Sequence, residues 1–188
     1  RVFRKDISLL GNKMVSGYTD GSIIAVPKHF PGHPDNLTDS HEALPEVNIS
    51  EAGFDEYASQ FKEVISNQDT QAILVGHILF KQIDTNYPSS LSSKIVTEIL
   101  RERYGFNGVV ITDDMQMGAL TERFTIAQGA VQAIKAGNDL LIYSGEPEQQ
   151  AQAYNAILDA VKKGDIPEQR INESVLRILT LKANIFNL

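Results

Sequence analysis

The sequence predicts an α/β fold with parallel strands, on three observations. Short, continuous apolar runs recur along the chain, as expected of strands buried on both faces of a sheet. A stretch of helical periodicity separates each run from the next. No repeat, linker or low-complexity tract interrupts the alternation.

Taken in order, a helix is expected over residues 6–18 and a strand over 22–26, "SIIAV". A second helix follows over 53–67 and a second strand over 72–76, "AILVG". In the third helix, 92–104, Ile95, Val96, Ile99 and Leu100 recur at helical spacing, and Tyr104-Gly105 supplies a glycine stop. A strand over 108–112, "GVVIT", precedes a helix over 125–136, and a fourth strand spans 139–143. Helices over 148–163 and 167–183 finish the chain. Gly164 stops the first, and Pro167 suits the opening turn of the second.

With 188 residues the chain holds one substantial core, and 42% hydrophobic with 22% charged residues is ordinary for a globular domain. A net charge of -7 and a pI near 5.1 argue against nucleic acid or an anionic membrane as the main partner. No apolar run approaches the ~20 residues of a membrane span, so no membrane contact is expected from this segment. Without cysteine there is no disulfide framework and no thiolate metal site, and the compartment stays undetermined. The opening "RVFRKD" lacks a signal-peptide pattern, and no methionine begins it.

Periodicity leaves two architectures open, a doubly wound sheet and a (β/α)8 barrel; four strands make about half a barrel, since complete ones run to ~250 residues. The polar residues narrow the chemistry. Three strands run straight into them: "IIAVP" into Lys28 and His29, "AILVG" into His77, "GVVIT" into Asp113 and Asp114. In parallel α/β folds that end of the sheet carries the active site. The stretch "AVPKHFPGHPDNLTDSHEALP", residues 25–45, adds His33 and His41 in a segment that Pro31 and Gly32 keep from being a helix. A loop metal site from His29, His33, Asp35, Asp39 and Asp113 is one reading of it. In Asp39-Ser40-His41, an aspartate two residues from a histidine can hold one ring nitrogen and raise the basicity of the other, an arrangement suited to proton transfer. A turn with Asp39 bonded to nearby amides is the alternative.

"KHFPGH", then "DSH", then "GFNGVVITDDMQMGAL" resemble glycoside hydrolase family 3, and within it the bacterial β-N-acetylhexosaminidases. The likeness runs from "RVF" to the terminal helices. It implies that residues 1–188 are the C-terminal part of a (β/α)8 catalytic domain, a partial barrel with its N-terminal strands missing. It implies removal of terminal β-linked N-acetylglucosamine from cell-wall muropeptides or chitin-type oligosaccharides, by a retaining route through a covalent glycosyl-enzyme. By position, Asp113 matches the nucleophile, His41 the acid/base and Asp39 its partner. Lys28, His29 and Arg1 match groups that hydrogen-bond the sugar, and His77 lines the pocket or holds the structure. Asp114 is expected to shape its turn, His33 to hold the loop, and Met115 and Met117 to pack in the core. No metal or cofactor is implied.

The same resemblance places Arg1 well inside the barrel of relatives. The chain is therefore expected to be a fragment with little or no activity of its own, and its open strand edges to invite self-association. A phosphorylase that transfers the sugar to phosphate and a non-catalytic sugar-binding fragment are the competing readings. A β-glucosidase and a metallohydrolase fit less well.

Overall fold

The structure is a computed structural model describing residues 7–34 and 44–186. In order it runs α1 (Ile7–Asp20), β1 (Glu46–Val47), α2 (Glu51–Tyr57), α3 (Ser59–Ile65), β2 (Ala72–Val75) and β3 (Leu79–Phe80). A 3-10 turn (Ser89–Leu91) and a π-helix (Lys94–Arg103) lead to β4 (Val109–Asp114) and α4 (Gly118–Thr121). Then come α5 (Ile126–Ala136), β5 (Leu140–Ile142), α6 (Pro147–Lys163) and α7 (Glu168–Phe186).

All strand pairing among the described residues is parallel, as expected. One sheet has the order β2-β4-β5, in register from Ala72 opposite Val109 to Val75 opposite Thr112; β1 and β3 form a separate pair. The β4–β5 register shifts between Ile111 and Asp114, where the Thr112 hydroxyl accepts the Ile142 N–H at 3.2 Å. Neither sheet closes into a barrel among the described residues.

One face of the main sheet is sealed. Phe30, Ile73, Val75 and Val110 pack with Ile95, Val96, Ile99 and Leu100 of the π-helix, and Phe54 and Phe80 extend this core. Ring pairs there meet edge-on, Phe54 with Phe80 at 5.2 Å and Phe30 with Phe61 at 5.5 Å, the favoured geometry for aromatic quadrupoles. The row Leu74–Ile111–Leu140 opens progressively toward the β5 edge, from buried Leu74 to exposed Leu140.

The helix signals act locally as the sequence suggests. Thr125 and Gln128 form a reciprocal capping box at the start of α5, and Glu146 with Gln149 repeats it at α6. Gly164 ends α6 with φ 80°, a left-handed conformation that costs a glycine little.

Three expectations change. No strand forms over residues 22–26: Ile23 and Val26 are exposed, and the ladder to β2 starts only at Pro27, whose carbonyl accepts the Leu74 N–H. The ring nitrogen of Pro27 has no proton to offer a ladder, which weakens a strand running into it. The helix expected over 53–67 divides at buried Ala58 (φ -89°, ψ 8°) into α2 and α3. The short elements β1, β3 and α4 were not anticipated, because two to four residues cannot display a period.

Candidate active site

Three chain segments bring polar groups to one rim, at the C-terminal ends of the strands. The first is Pro27–Phe30. The Phe30 N–H donates to Leu74 O at 2.8 Å and the Phe30 carbonyl accepts the Gly76 N–H at 2.9 Å, locking this segment to the edge of β2. The Lys28–His29 and Phe30–Pro31 peptides are cis. Gly76 makes room for the next side chain: a Cβ there would stand 3.0 Å from the Cβ of His29. His29 thus lies against the end of β2 while Lys28 is exposed beside it. Tyr57 donates from its hydroxyl to Gly32 O at 2.8 Å and fixes the turn beyond. His33 stands edge-on to His29, ring centres 6.2 Å apart, with Nδ1 3.3 Å from Pro34 O.

The second segment is the end of β4. Asp113 presents its carboxylate 3.5 Å from His29 Nε2 and remains 22% exposed, enough for a ligand to reach it. Its Oδ1 accepts the Asp114 N–H at 3.0 Å. Asp114 shapes the turn, as expected: its carboxylate accepts the Gln116 N–H at 3.1 Å and both the N–H and the hydroxyl of Ser144. Gln116 extends the tie, holding the Gly145 N–H and the Gln149 side chain. The loop after β5 is therefore pinned to the turn that carries Asp113. Met115 and Met117 are buried, Met115 against Leu91, Leu120 and Ala133.

The third segment carries His77, which is 1% exposed. Its Nδ1 lies 2.6 Å from Ser90 Oγ and its Nε2 3.0 Å from Asp114 O. Burial lowers its pKa below 6.5, opposed by the Asp114 carbonyl and the charges of Asp113 and Asp114. His77 thus approaches Asp113 from beneath the rim. Ser90, Ser144, Gln116 and Gln149 went unnoticed in the sequence because single polar residues in short loops carry no periodic or spacing signal.

The structure brings Lys28, His29, His77 and Asp113 to one rim. Arg1, Asp39 and His41 lie outside the described residues, as does Asp35. Among the described residues no group of three His, Asp or Glu side chains is arranged to hold a metal, and no helix is long and apolar enough to cross a membrane. Chemically, the rim offers an accessible carboxylate, Asp113, on a strand end with a histidine 3.5 Å away.

Comparison with known proteins identifies the family and agrees with the fold. The model of the glycosyl hydrolase family 3 N terminal domain matches residues 4–181. A beta-hexosaminidase of Methylobacillus flagellatus is 34% identical over 150 residues, covering 78% of this chain and 42% of that protein. One from Glaesserella parasuis is 31% identical over 174 residues, covering 90% and 50%. The solved structure of a family 3 beta-N-acetylglucosaminidase from Paenibacillus sp. str. FPU-7 superposes with a TM-score of 0.91 at 39% identity, over 95% of this chain and 34% of that one. The chain spans half or less of the length of these relatives.

Proposed function

The chain belongs to glycosyl hydrolase family 3, and from that membership we propose that it forms part of a catalytic domain releasing terminal β-linked N-acetylglucosamine from muropeptides or chitin-type oligosaccharides. The observation that carries the proposal is Asp113: an accessible carboxylate at the end of β4, 3.5 Å from His29, on a turn held from two sides.

In this reading Lys28, His29 and Arg1 hydrogen-bond the sugar hydroxyls. An Asp113 oxygen bonds to the anomeric carbon as the glycosidic C–O bond breaks, and His41, oriented by Asp39, gives its proton to the departing oxygen. Neutral His41 then takes a proton from water as that water displaces Asp113, restoring both groups. A histidine with an ordinary pKa of about 6.5 can serve in both half-reactions near neutral pH. The open sheet supports weak or absent turnover by residues 1–188 alone. Exposed Leu140 and Ile142 on β5, with exposed Ile23 and Val26 in the segment before Pro27, support self-association through uncovered apolar surface, which sedimentation would reveal.

The test is hydrolysis of a chromogenic β-N-acetylglucosaminide by this chain and by a version extended N-terminally to a complete barrel, with and without phosphate. Activity in the extended form, abolished in Asp113→Ala and sharply reduced in His41→Ala, is the expected result. A sugar phosphate as main product would make the enzyme a phosphorylase. Binding of N-acetylglucosamine with no turnover in either form would make the chain a sugar-binding module.

A further inference from the structure

We infer that His77 is a positioning residue for Asp113, acting through a directed relay of hydrogen bonds from Ser90 to His77 to the Asp114 carbonyl, and not a ligand of the sugar. The inference rests on Asp113 being the reactive carboxylate. It begins with an asymmetry of partners: a carbonyl oxygen only accepts, so Nε2, 3.0 Å from Asp114 O, carries the ring proton. In the neutral ring Nδ1 is then an acceptor, and the Ser90 hydroxyl at 2.6 Å must donate to it. Burial disfavours the charged ring, which keeps this single arrangement in place.

The relay is anchored at its far end. Asn138 donates from Nδ2 to Ser90 O at 2.7 Å, and the neighbouring Ser89 hydroxyl donates to Gly76 O at 2.6 Å. Ser89, Ser90 and Asn138 are fully buried. The 3-10 turn is thereby bolted both to the end of β2 and to the loop before β5. His77 passes that rigidity to the Asp114 carbonyl, and the N–H of the same residue holds Asp113 Oδ1 at 3.0 Å. One residue, Asp114, thus separates the buried anchor from the carboxylate. With 1% of its surface exposed and both ring nitrogens occupied by protein, His77 has nothing left to offer a sugar hydroxyl.

Histidine suits the position because a donor and an acceptor are needed at separate corners of one rigid ring. Glutamine can reproduce the Nε2 donor and leucine neither group, which gives a graded test. With ring-15N histidine and carboxyl-13C aspartate, NMR of the 188-residue chain is expected to show His77 neutral and protonated at Nε2. Ser90→Ala is expected to perturb the Nδ1 signal. The Asp113 carboxyl signal should move in His77→Leu and return toward its original position in His77→Gln. These readouts need no turnover, so they stand or fall separately from the glycosidase reading. A proton on Nδ1, or an unmoved Asp113 signal in a folded His77→Leu, would overturn the relay. If His77→Leu does not fold, Ser90→Ala carries the same comparison. In an active extended form, His77→Leu should lower kcat on the order of 10²-fold with KM little changed, and His77→Gln should recover most of it. A rise in KM with kcat kept would make His77 a sugar ligand and refute the proposal.

Discussion

Arg101 and Asp139 meet at 2.7 Å at the end of the sheet opposite Asp113, where the Asp139 side chain is completely buried. The same carboxylate accepts the Val110 N–H at 3.0 Å, the Ser174 hydroxyl at 2.6 Å and Arg177 at 3.1 Å, with Arg170 at 3.7 Å. Arg101 also donates to Gly137 O and Gly108 O. The π-helix, β4, the start of β5 and α7 therefore share one ionic hub. Burial lowers the pKa of Arg101 and of Arg170, and Asp139 opposes that shift.

Removing the carboxylate leaves three partly buried guanidinium groups without their counter-charge. Asp139→Ala is expected to destabilise the chain by about 3–5 kcal/mol, the range seen when a buried pair loses one partner. Arg177→Ala, which removes the most exposed of the three, should cost much less. Urea unfolding of the two variants decides it. Equal, small effects would show that the hub contributes little.

The depressed pKa of His77 makes a prediction about pH. The folded state prefers the neutral ring, so the unfolded chain binds more protons once pH drops below about 6.5. This contribution is fully present above that value and is lost as pH falls toward the folded pKa. Asp113 and Asp114, which raise the pKa of the ring, and His29, which lowers it, set how far the window extends. Asp55, whose pKa is lowered chiefly by the Tyr104 hydroxyl, loses its contribution in a separate window, below about 3.8. The urea midpoint should fall between pH 7 and pH 5, and His77→Gln should flatten that part of the slope. An unchanged slope would mean that His77 charges while folded.

The parallel strands and their polar ends were legible because burial on two faces leaves an apolar run that ends abruptly, as at "GVVIT" before Asp113. Helix limits were legible where a cap or glycine marks them, as at Thr125 and Gly164. The pairing of Pro27–Phe30 with β2 was shifted from its expected place because it depends on which chain lies alongside, which no local pattern encodes. The relay behind Asp113 was illegible for the same reason. Ser90 is thirteen residues from His77 and Asp114 thirty-seven, and only the fold makes them neighbours.

Two glycines should respond to alanine in opposite ways. Gly108 lies where a Cβ would stand 2.4 Å from Gln71 O and 2.6 Å from Phe106 Cζ, and the first of these is backbone that cannot swing aside. Gly108→Ala is expected to cost about 1–3 kcal/mol or more, since overpacking forces the β2–β4 junction apart. Gly17, exposed within α1, has nothing within 4 Å of a Cβ. Gly17→Ala should stabilise by about 0.5–1 kcal/mol by restricting the unfolded chain and raising helix propensity. Thermal unfolding of both variants reads the contrast. A tolerated Gly108→Ala would mean that the two strands are not packed so closely.

Asp113 and Asp114 are adjacent yet should separate cleanly in function and stability. Asp113 makes one local side-chain hydrogen bond to the next N–H and is partly exposed, so Asp113→Ala is expected to leave unfolding within about 0.5 kcal/mol. Asp114 holds Gln116 and Ser144, so Asp114→Ala should loosen the turn and lower stability by roughly 1–3 kcal/mol. In an extended, active form the order reverses: losing the nucleophile should reduce turnover on the order of 10⁴-fold or more, whereas Asp114→Ala retains measurable rate. The cavity left in Asp113→Ala also admits a small anion. Added azide should restore sugar release and give the glycosyl azide of inverted configuration, because azide attacks directly where the carboxylate stood. Rescue in Asp114→Ala instead would assign the nucleophile to the neighbouring residue.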